Sequence, residues 1–304
     1  MQKYYDLAAV REALTGAVPS IGATFRKNGD IDYPALKRYV DFLIESGSRS
    51  LLLTFGDSLL SVLSDQETVE LTKAVVDAAD HRAMVIGCGK QWSTRQSVEF
   101  AEACVDMGCD VVIPVPHDWQ QHCGTDLLAD FFREIGKIAP TMILSNLMCG
   151  RPIPVSVYER LGADCGVVAI KDDAPHPYGV DAMQFVRDKM AVLSGGTMKF
   201  FLLQRPYGAD GYLSIYARCF PEVEKPFRAA YEAGRYEDAA RIIEKHEMSF
   251  FRWCAANGAH FDAGIRGMIE LAGQAERWVR APYSQLSDAQ MDSLRCFLQE
   301  TGVI

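Results

Sequence analysis

VVAIKDD, residues 167–173, sets four apolar residues in a row and then a lysine and two aspartates. Four apolar residues without alternation do not suit a strand with one face in water. They suit a strand buried on both faces, as in a parallel sheet covered by helices. Seven more runs of this kind occur: AVPSIGAT (17–24), SLLLTF (50–55), AMVIGC (83–88), DVVIPV (110–115), TMILSN (141–146), MAVLSG (190–195) and YLSI (212–215). Each is too short for a stable helix, and Gly, Pro, Asp or Asn bounds each one. Between them lie helical signals. Leu36, Tyr39, Val40 and Leu43 recur at the i, i+3, i+4, i+7 spacing, with Gly47 to stop the helix. SDQE (64–67) and STRQ (93–96) are capping boxes, and Thr125-Asp126 opens a further helix. Eight βα units within residues 1–221 predict an α/β fold, a (β/α)8 TIM barrel. A doubly wound open sheet is the alternative, but the first βα turn, FRKNGDID, lacks the GxGxxG such sheets usually carry. After residue 221 the pattern becomes wholly helical, with SDAQ (287–290) capping a last helix. Residues 222–304 are therefore expected to form a C-terminal helical extension packed on the barrel.

The 304 residues carry 31 basic and 40 acidic side chains, a net charge of -9. An acidic surface argues against nucleic acid and anionic membranes as partners. No run reaches the ~18 uninterrupted apolar residues of a membrane span. The opening MQKYYDLAAVREALTG has acidic residues and no apolar run of the secretory type. Nine cysteines, odd in number and without a CxxC, read as small core residues in a reducing compartment. These features predict a cytoplasmic protein acting on a small molecule.

In a (β/α)8 barrel the chemistry gathers at the C-terminal ends of the strands. Lys171 is the only lysine at any predicted strand end. Burial in an apolar barrel mouth disfavours an ammonium and frees the amine as a nucleophile. Condensed with a carbonyl, it forms an iminium, an electron sink that lets an adjacent C–C bond or C–H bond break. The plainer reading is a lysine paired with Asp172 or Asp173 at a strand end.

The chain resembles the dihydrodipicolinate synthase / N-acetylneuraminate lyase family, pyruvate-type class I aldolases on a (β/α)8 barrel. GDIDYPALKRYVDFLIESG is similar to that family's first helix, and LTFGDSLLSVLSDQE to its GTTGE segment. ILSNLMCGRPIP falls where the family has YNxP, VVAIKDD on its Schiff-base lysine strand, and VLSGGT and YGADGYLSIYARCFPE on its last two strands. GIRGMIELAG and WVRAPYSQLSDAQMDSLRCFLQETG resemble its closing helices. The resemblance implies a Schiff-base lyase, an aldolase or dehydratase, acting on pyruvate or a sugar-derived keto acid. It implies no cofactor and a homotetramer or dimer. It makes Lys171 the nucleophile, with Thr54 and the Phe55 amide holding the substrate carboxylate. Arg151 lies about one residue from the position of an arginine that some members use for a distal carboxylate, and Gly195, at the strand 7 end, is a further substrate-binding candidate.

The departures concern proton transfer. The family's mechanism implies a tyrosine on strand 5, where this chain has Ser145, and a second after strand 4, where it has Pro116. His117 is the candidate replacement acid/base, with Ser145 occupying the vacated tyrosine site. Two other readings stand beside this one. The first is a catalytically altered member acting as a ligand-binding or regulatory protein. The second is a phosphate-handling barrel enzyme using SGGT (194–197). His117, His122, Cys123 and His176 match no metal-binding spacing, so no metal is expected.

Overall fold

The computed structural model describes residues 5–117, 122–146, 150–161, 166–174 and 178–304. Its strands are β1 (Gly16–Pro19), β2 (Ser50–Leu52), β3 (Met84–Trp92), β4 (Val111–Pro116), β5 (Thr141–Leu144), β6 (Val167–Asp172), β7 (Ala191–Ser194) and β8 (Gly211–Ser214). They form one parallel sheet in the order β1-β8-β7-β6-β5-β4-β3-β2. The remaining gap, from β1 to β2, is spanned by the Ser20–Leu52 bridge. There the Ile21 amide donates to the Leu52 carbonyl at 2.8 Å. The chain is a (β/α)8 barrel, and its eight strands coincide with the eight apolar runs.

The helices are α1 (Leu7–Leu14), α2 (Tyr33–Glu45), α3 (Asp65–Ala79), α4 (Thr94–Met107), α5 (Thr125–Gly136), α6 (Val155–Arg160), α7 (Tyr178–Val186), α8 (Met198–Gln204), α9 (Glu224–Glu232), α10 (Tyr236–Ile242), α11 (Ser249–Ala256), α12 (Phe261–Leu271) and α13 (Asp288–Glu300). In α2 the predicted apolar stripe is the buried one, Leu36, Tyr39, Val40 and Leu43, with Asp32 as N-cap. Gly47 follows with φ +95°, the left-handed geometry that favours glycine just past a helix end. Ser64 with Glu67, Ser93 with Gln96 and Ser287 with Gln290 all close as capping boxes. Each satisfies two backbone donors that the first helical turn would leave bare.

Local differences from the sequence reading have physical causes. β1 stops at Pro19, and beyond it only Ser20 makes a bridge. β3 runs on to Trp92 through a register shift between Cys88 and Gln91, carrying the chain past the barrel rim. The division expected between 221 and 222 falls just before α9, which still belongs to the barrel wall. Phe227 packs edge-on against Tyr212 of β8, 5.7 Å between centroids, and Glu224 accepts from Tyr212 and Ser214. Tyr39 and Leu52 of the barrel and Phe250 and Leu294 of the closing helices belong to one buried cluster. The C-terminal helices and the barrel thus share one buried core. No helix among the described residues is long and apolar enough to cross a membrane.

Candidate active site

A cleft of about 280 Å³ opens at the C-terminal ends of the strands. Ser20, the Thr54–Asp57 turn, Leu144, Lys171, Asp173, Gly195 and Arg218 line it from the barrel, and Phe251, Phe261 and Ile265 close it from α11 and α12. A larger cavity, about 390 Å³, lies at the other end of the strands, against Gly16, Arg49, Glu224 and Arg228. Volume alone would favour that one. Strand polarity favours the first, because only the C-terminal loops vary freely without unpicking the barrel.

Lys171 is 6% exposed and reaches into the cleft from the last turnward residues of β6. Its Nζ donates to both carboxylate oxygens of Asp173, at 2.6 and 2.5 Å. Of the two aspartates, only Asp173 faces the amine. Asp172 points outward, where Gln204 donates to its Oδ2 at 2.6 Å and the Ala174 amide to its Oδ1 at 3.2 Å. Burial pushes the Asp172 carboxyl up, against the opposing pull of bonds from Ser145, Ala174 and Gln204.

Two groups from opposite walls seat Asp173. Its amide donates to Ser145 Oγ at 2.7 Å, and its carbonyl accepts from Asn146 Nδ2 at 2.7 Å. Across the cleft it presses on Gly195, where a Cβ would stand 1.9 Å from Oδ1. This assigns Gly195 a role the sequence did not show. Its amide already donates to the Asp172 carbonyl at 2.8 Å, so the bare α-carbon, rather than the N–H, is what the cleft uses.

The same geometry places Ser145 beside the aspartates. Leu144 is the register partner of Lys171 across β5 and β6. Register partners face the same side of a sheet, and the next residue faces the other. Leu144 therefore lines the cleft, while the Ser145 hydroxyl is turned to the Asp173 amide and the Asp172 carboxylate. His117 does not come to the amine either. It is exposed on the rim after β4 and lies outside the described cleft lining. Arg151 is half-buried beyond β5, also away from the lining.

Thr54 and Phe55 do line the cleft. The Thr54 hydroxyl accepts from the Asp57 amide at 3.0 Å, which leaves its hydrogen for a ligand. The Phe55 amide lies beside the Cys88 thiol, whose pKa burial pushes up to about 12 against the pull of Lys171. Cys88 is thus an inert thiol, 0% exposed.

Below Thr54 lies a charged group that the sequence reading missed. Asp57 Oδ1 is 3.7 Å from Arg218 Nη1; Arg218 is buried and Asp57 mostly so. Arg266 donates to the Asp57 carbonyl at 3.1 Å and to the Ala23 carbonyl at 2.9 Å. Burial pushes the Asp57 carboxyl up, but Arg218, Ser20, Lys171 and Arg266 outweigh it and hold it below the usual carboxylate range. Burial, with Arg218 as a like-charged neighbour, brings Arg266 down to about 10. The signal available was the arginine in the turn that follows the last strand, in YARCFPE.

The strand 7 end does not offer a phosphate its donors. Besides the engaged Gly195 amide, Gly196 is covered by the Phe200 ring, 2.4 Å from where a Cβ would stand. The start of α8 is taken by the Glu247 carboxylate, bonded to the Met198 and Lys199 amides and Thr197. Among the described residues no three His, Cys, Asp or Glu side chains converge as metal ligands. His122 is exposed, and His176 lies outside the described residues.

A family model described as the dihydrodipicolinate synthetase family matches residues 13–301. The 4-hydroxy-tetrahydrodipicolinate synthase of Chlorobaculum parvum is 25% identical over 301 residues, covering 96% of this chain and 98% of that protein. The sialic acid aldolase of Ruminococcus gnavus has a similar fold, with a TM-score of 0.84 at 18% identity over 95% of this chain and 97% of that one. So has a prophage protein of the dihydrodipicolinic acid synthase family from E. coli K12, in complex with pyruvate. Its TM-score is 0.81 at 21% identity, over 95% of this chain and 99% of that one.

Proposed function

The chain belongs to the dihydrodipicolinate synthetase family, lyases and synthases of the class I aldolase type, and we propose that Lys171 is its Schiff-base nucleophile toward a 2-keto acid such as pyruvate. The observation that carries this is the position of Lys171 Nζ, inside the cleft at the C-terminal end of β6 and against a carboxylate. A carbonyl carbon there is attacked by the amine, and loss of water leaves the iminium. The Thr54 hydroxyl and the Arg218 guanidinium sit across the cleft to bind the substrate carboxylate. Arg218 is already drawn to Asp57, so a second anion joins a preformed charge group rather than a bare cation.

The outer walls speak to the rest of the substrate. Phe251 and Phe261 meet edge to face over the mouth, 6.2 Å between centroids, and are 39% and 41% exposed. With Phe55, Leu213 and Ile265 they make a wall that rewards an apolar or aromatic tail and offers little to a polyhydroxylated one. A keto acid with a hydrocarbon substituent suits this cleft better than a sugar acid.

Borohydride reduction in the presence of pyruvate tests the reading. A stable adduct on Lys171, absent in Lys171→Ala, is expected by peptide mass spectrometry. A folded wild-type protein that takes no label from pyruvate or any other 2-keto acid would refute it. Thermal stabilisation by the keto acid without label or turnover would instead mark a ligand-binding protein.

A further inference from the structure

We propose that Asp173 is the acid–base group that moves the protons of the Lys171 reaction. The proposal rests on Lys171 being the nucleophile. The two side chains that the sequence offered for this task do not bond the amine: Ser145 Oγ accepts from the Asp173 amide, and His117 is on the rim, while Leu144 is the β5 neighbour of Lys171. Asp173 touches it with both oxygens. Its side chain is 33% exposed, on the cleft side, so it also reaches atoms of a bound substrate. The bonds from its main chain to Ser145 and Asn146 and the bare face of Gly195 hold it there. Ser145 is then a positioning residue, acting through Asp173.

The protons balance through one carboxylate. Asp173 takes a proton from the Lys171 ammonium, and the freed amine attacks the keto carbon. The carbonyl π pair moves to oxygen, which takes that proton back from Asp173. The nitrogen, now bearing the extra bond, returns a proton to Asp173. Asp173 then protonates the hydroxyl, the C–O bond breaks, and water leaves as the C=N bond forms. The iminium and the Asp173 carboxylate remain, with the net charge unchanged. In the next step Asp173 removes a proton from C3, and the C–H pair becomes the C2–C3 π bond while the C=N pair moves onto nitrogen. In the cleavage direction the same carboxylate takes the proton of a C4 hydroxyl as the C3–C4 pair flows into the iminium.

The test is exchange of the pyruvate methyl protons for deuterium, followed by proton NMR in D2O, run beside borohydride trapping with pyruvate. Wild type is expected to exchange and to be trapped. Asp173→Asn is expected to be trapped at Lys171 on long incubation while exchange falls by ~10²–10⁴-fold, the usual weight of general acid–base catalysis. Asp173→Glu should recover part of the exchange. In Asp173→Ala, added formate should restore exchange in proportion to its concentration. Asp173→Asn exchanging within about threefold of wild type would overturn the proposal, a figure far below the general acid–base range. So would loss of both trapping and exchange in a folded Asp173→Ala that formate does not rescue, since that marks a structural role. A wild type that is not trapped refutes the nucleophile itself, and this proposal with it.

Discussion

Replacing Gly195 by alanine isolates the seat of Asp173 from its charge. Gly195 is not in the left-handed region, so alanine fits the backbone and only the added methyl matters. That methyl would stand 1.9 Å from Asp173 Oδ1 and 2.9 Å from the Asp172 carbonyl oxygen. Non-bonded contact asks for ~3.5 Å, so the carboxylate must retreat by roughly 1.5 Å. The 2.5–2.6 Å contacts to Lys171 then open to roughly 4 Å, past hydrogen-bonding reach. The carboxylate has room to swing toward solvent, so the stability loss should stay within the ~1–3 kcal/mol of overpacking. Deuterium exchange into pyruvate should fall by ~10²-fold or more, toward the loss expected when the acid–base group is removed. Urea unfolding and the exchange assay on the same sample separate the two effects. A Gly195→Ala protein that exchanges as fast as wild type, with unchanged unfolding, would show that this contact does not hold the carboxylate in working position.

Three further outcomes follow from the same geometry. Removing Arg218 as Arg218→Met leaves the buried Asp57 without its nearest cation and should cost about 3–5 kcal/mol in urea unfolding, as for other broken buried pairs; a loss under ~1 kcal/mol, the range of a surface pair, would contradict the pairing. Glu224, buried with Tyr212 and Ser214, has its carboxyl raised by burial from 4.5 to about 7, so the stability it contributes is full below 4.5 and is lost as pH climbs through 7, about 3 kcal/mol in all. Glu224→Gln should flatten the melting temperature between pH 5 and 8, and an unchanged pH profile would dismiss that titration. Phe251→Ala and Phe261→Ala should each raise KM by roughly tenfold for a keto acid with an aromatic tail, about one aromatic contact's worth, while leaving KM for pyruvate nearly untouched; equal losses on both substrates would place the rings outside the tail site.

The barrel was legible because its signal is redundant. Eight runs buried on both faces, at the spacing of βα units, admit few other arrangements, and the capping boxes fixed where three helices begin. The strand-end rule then pointed to Lys171, Thr54 and Phe55, all of which line the cleft. Other parts of the site were illegible for a different reason. Phe251, Phe261 and Ile265 reach it from α11 and α12, about 200 residues along the chain from Thr54. Nothing in a helix's own periodicity says which of its outward residues another element will cover.

The placing of Ser145 is more instructive, because it turns on a rule taken one step further. A strand end names a pair of neighbouring residues, and parity decides which of the two faces the lumen. Leu144, the register partner of Lys171, shares its side, and the Ser145 hydroxyl accepts from the Asp173 amide instead. The amine's hydrogen-bonding partner comes from its own strand's exit. The second aspartate of VVAIKDD fills that place only because the chain leaves β6 there. In continuing strand geometry the side chain two residues on would point the same way as Lys171 but ~6.6 Å away, whereas the turn after Asp172 brings its oxygens to 2.5 Å. The turn is held by Ser145 and by the absence of a side chain at 195. The serine at 145, the aspartate two residues after the lysine and the glycine at 195 thus bear on one contact. Any one of them restored alone to a bulkier or non-bonding residue should disturb the lysine–carboxylate contact.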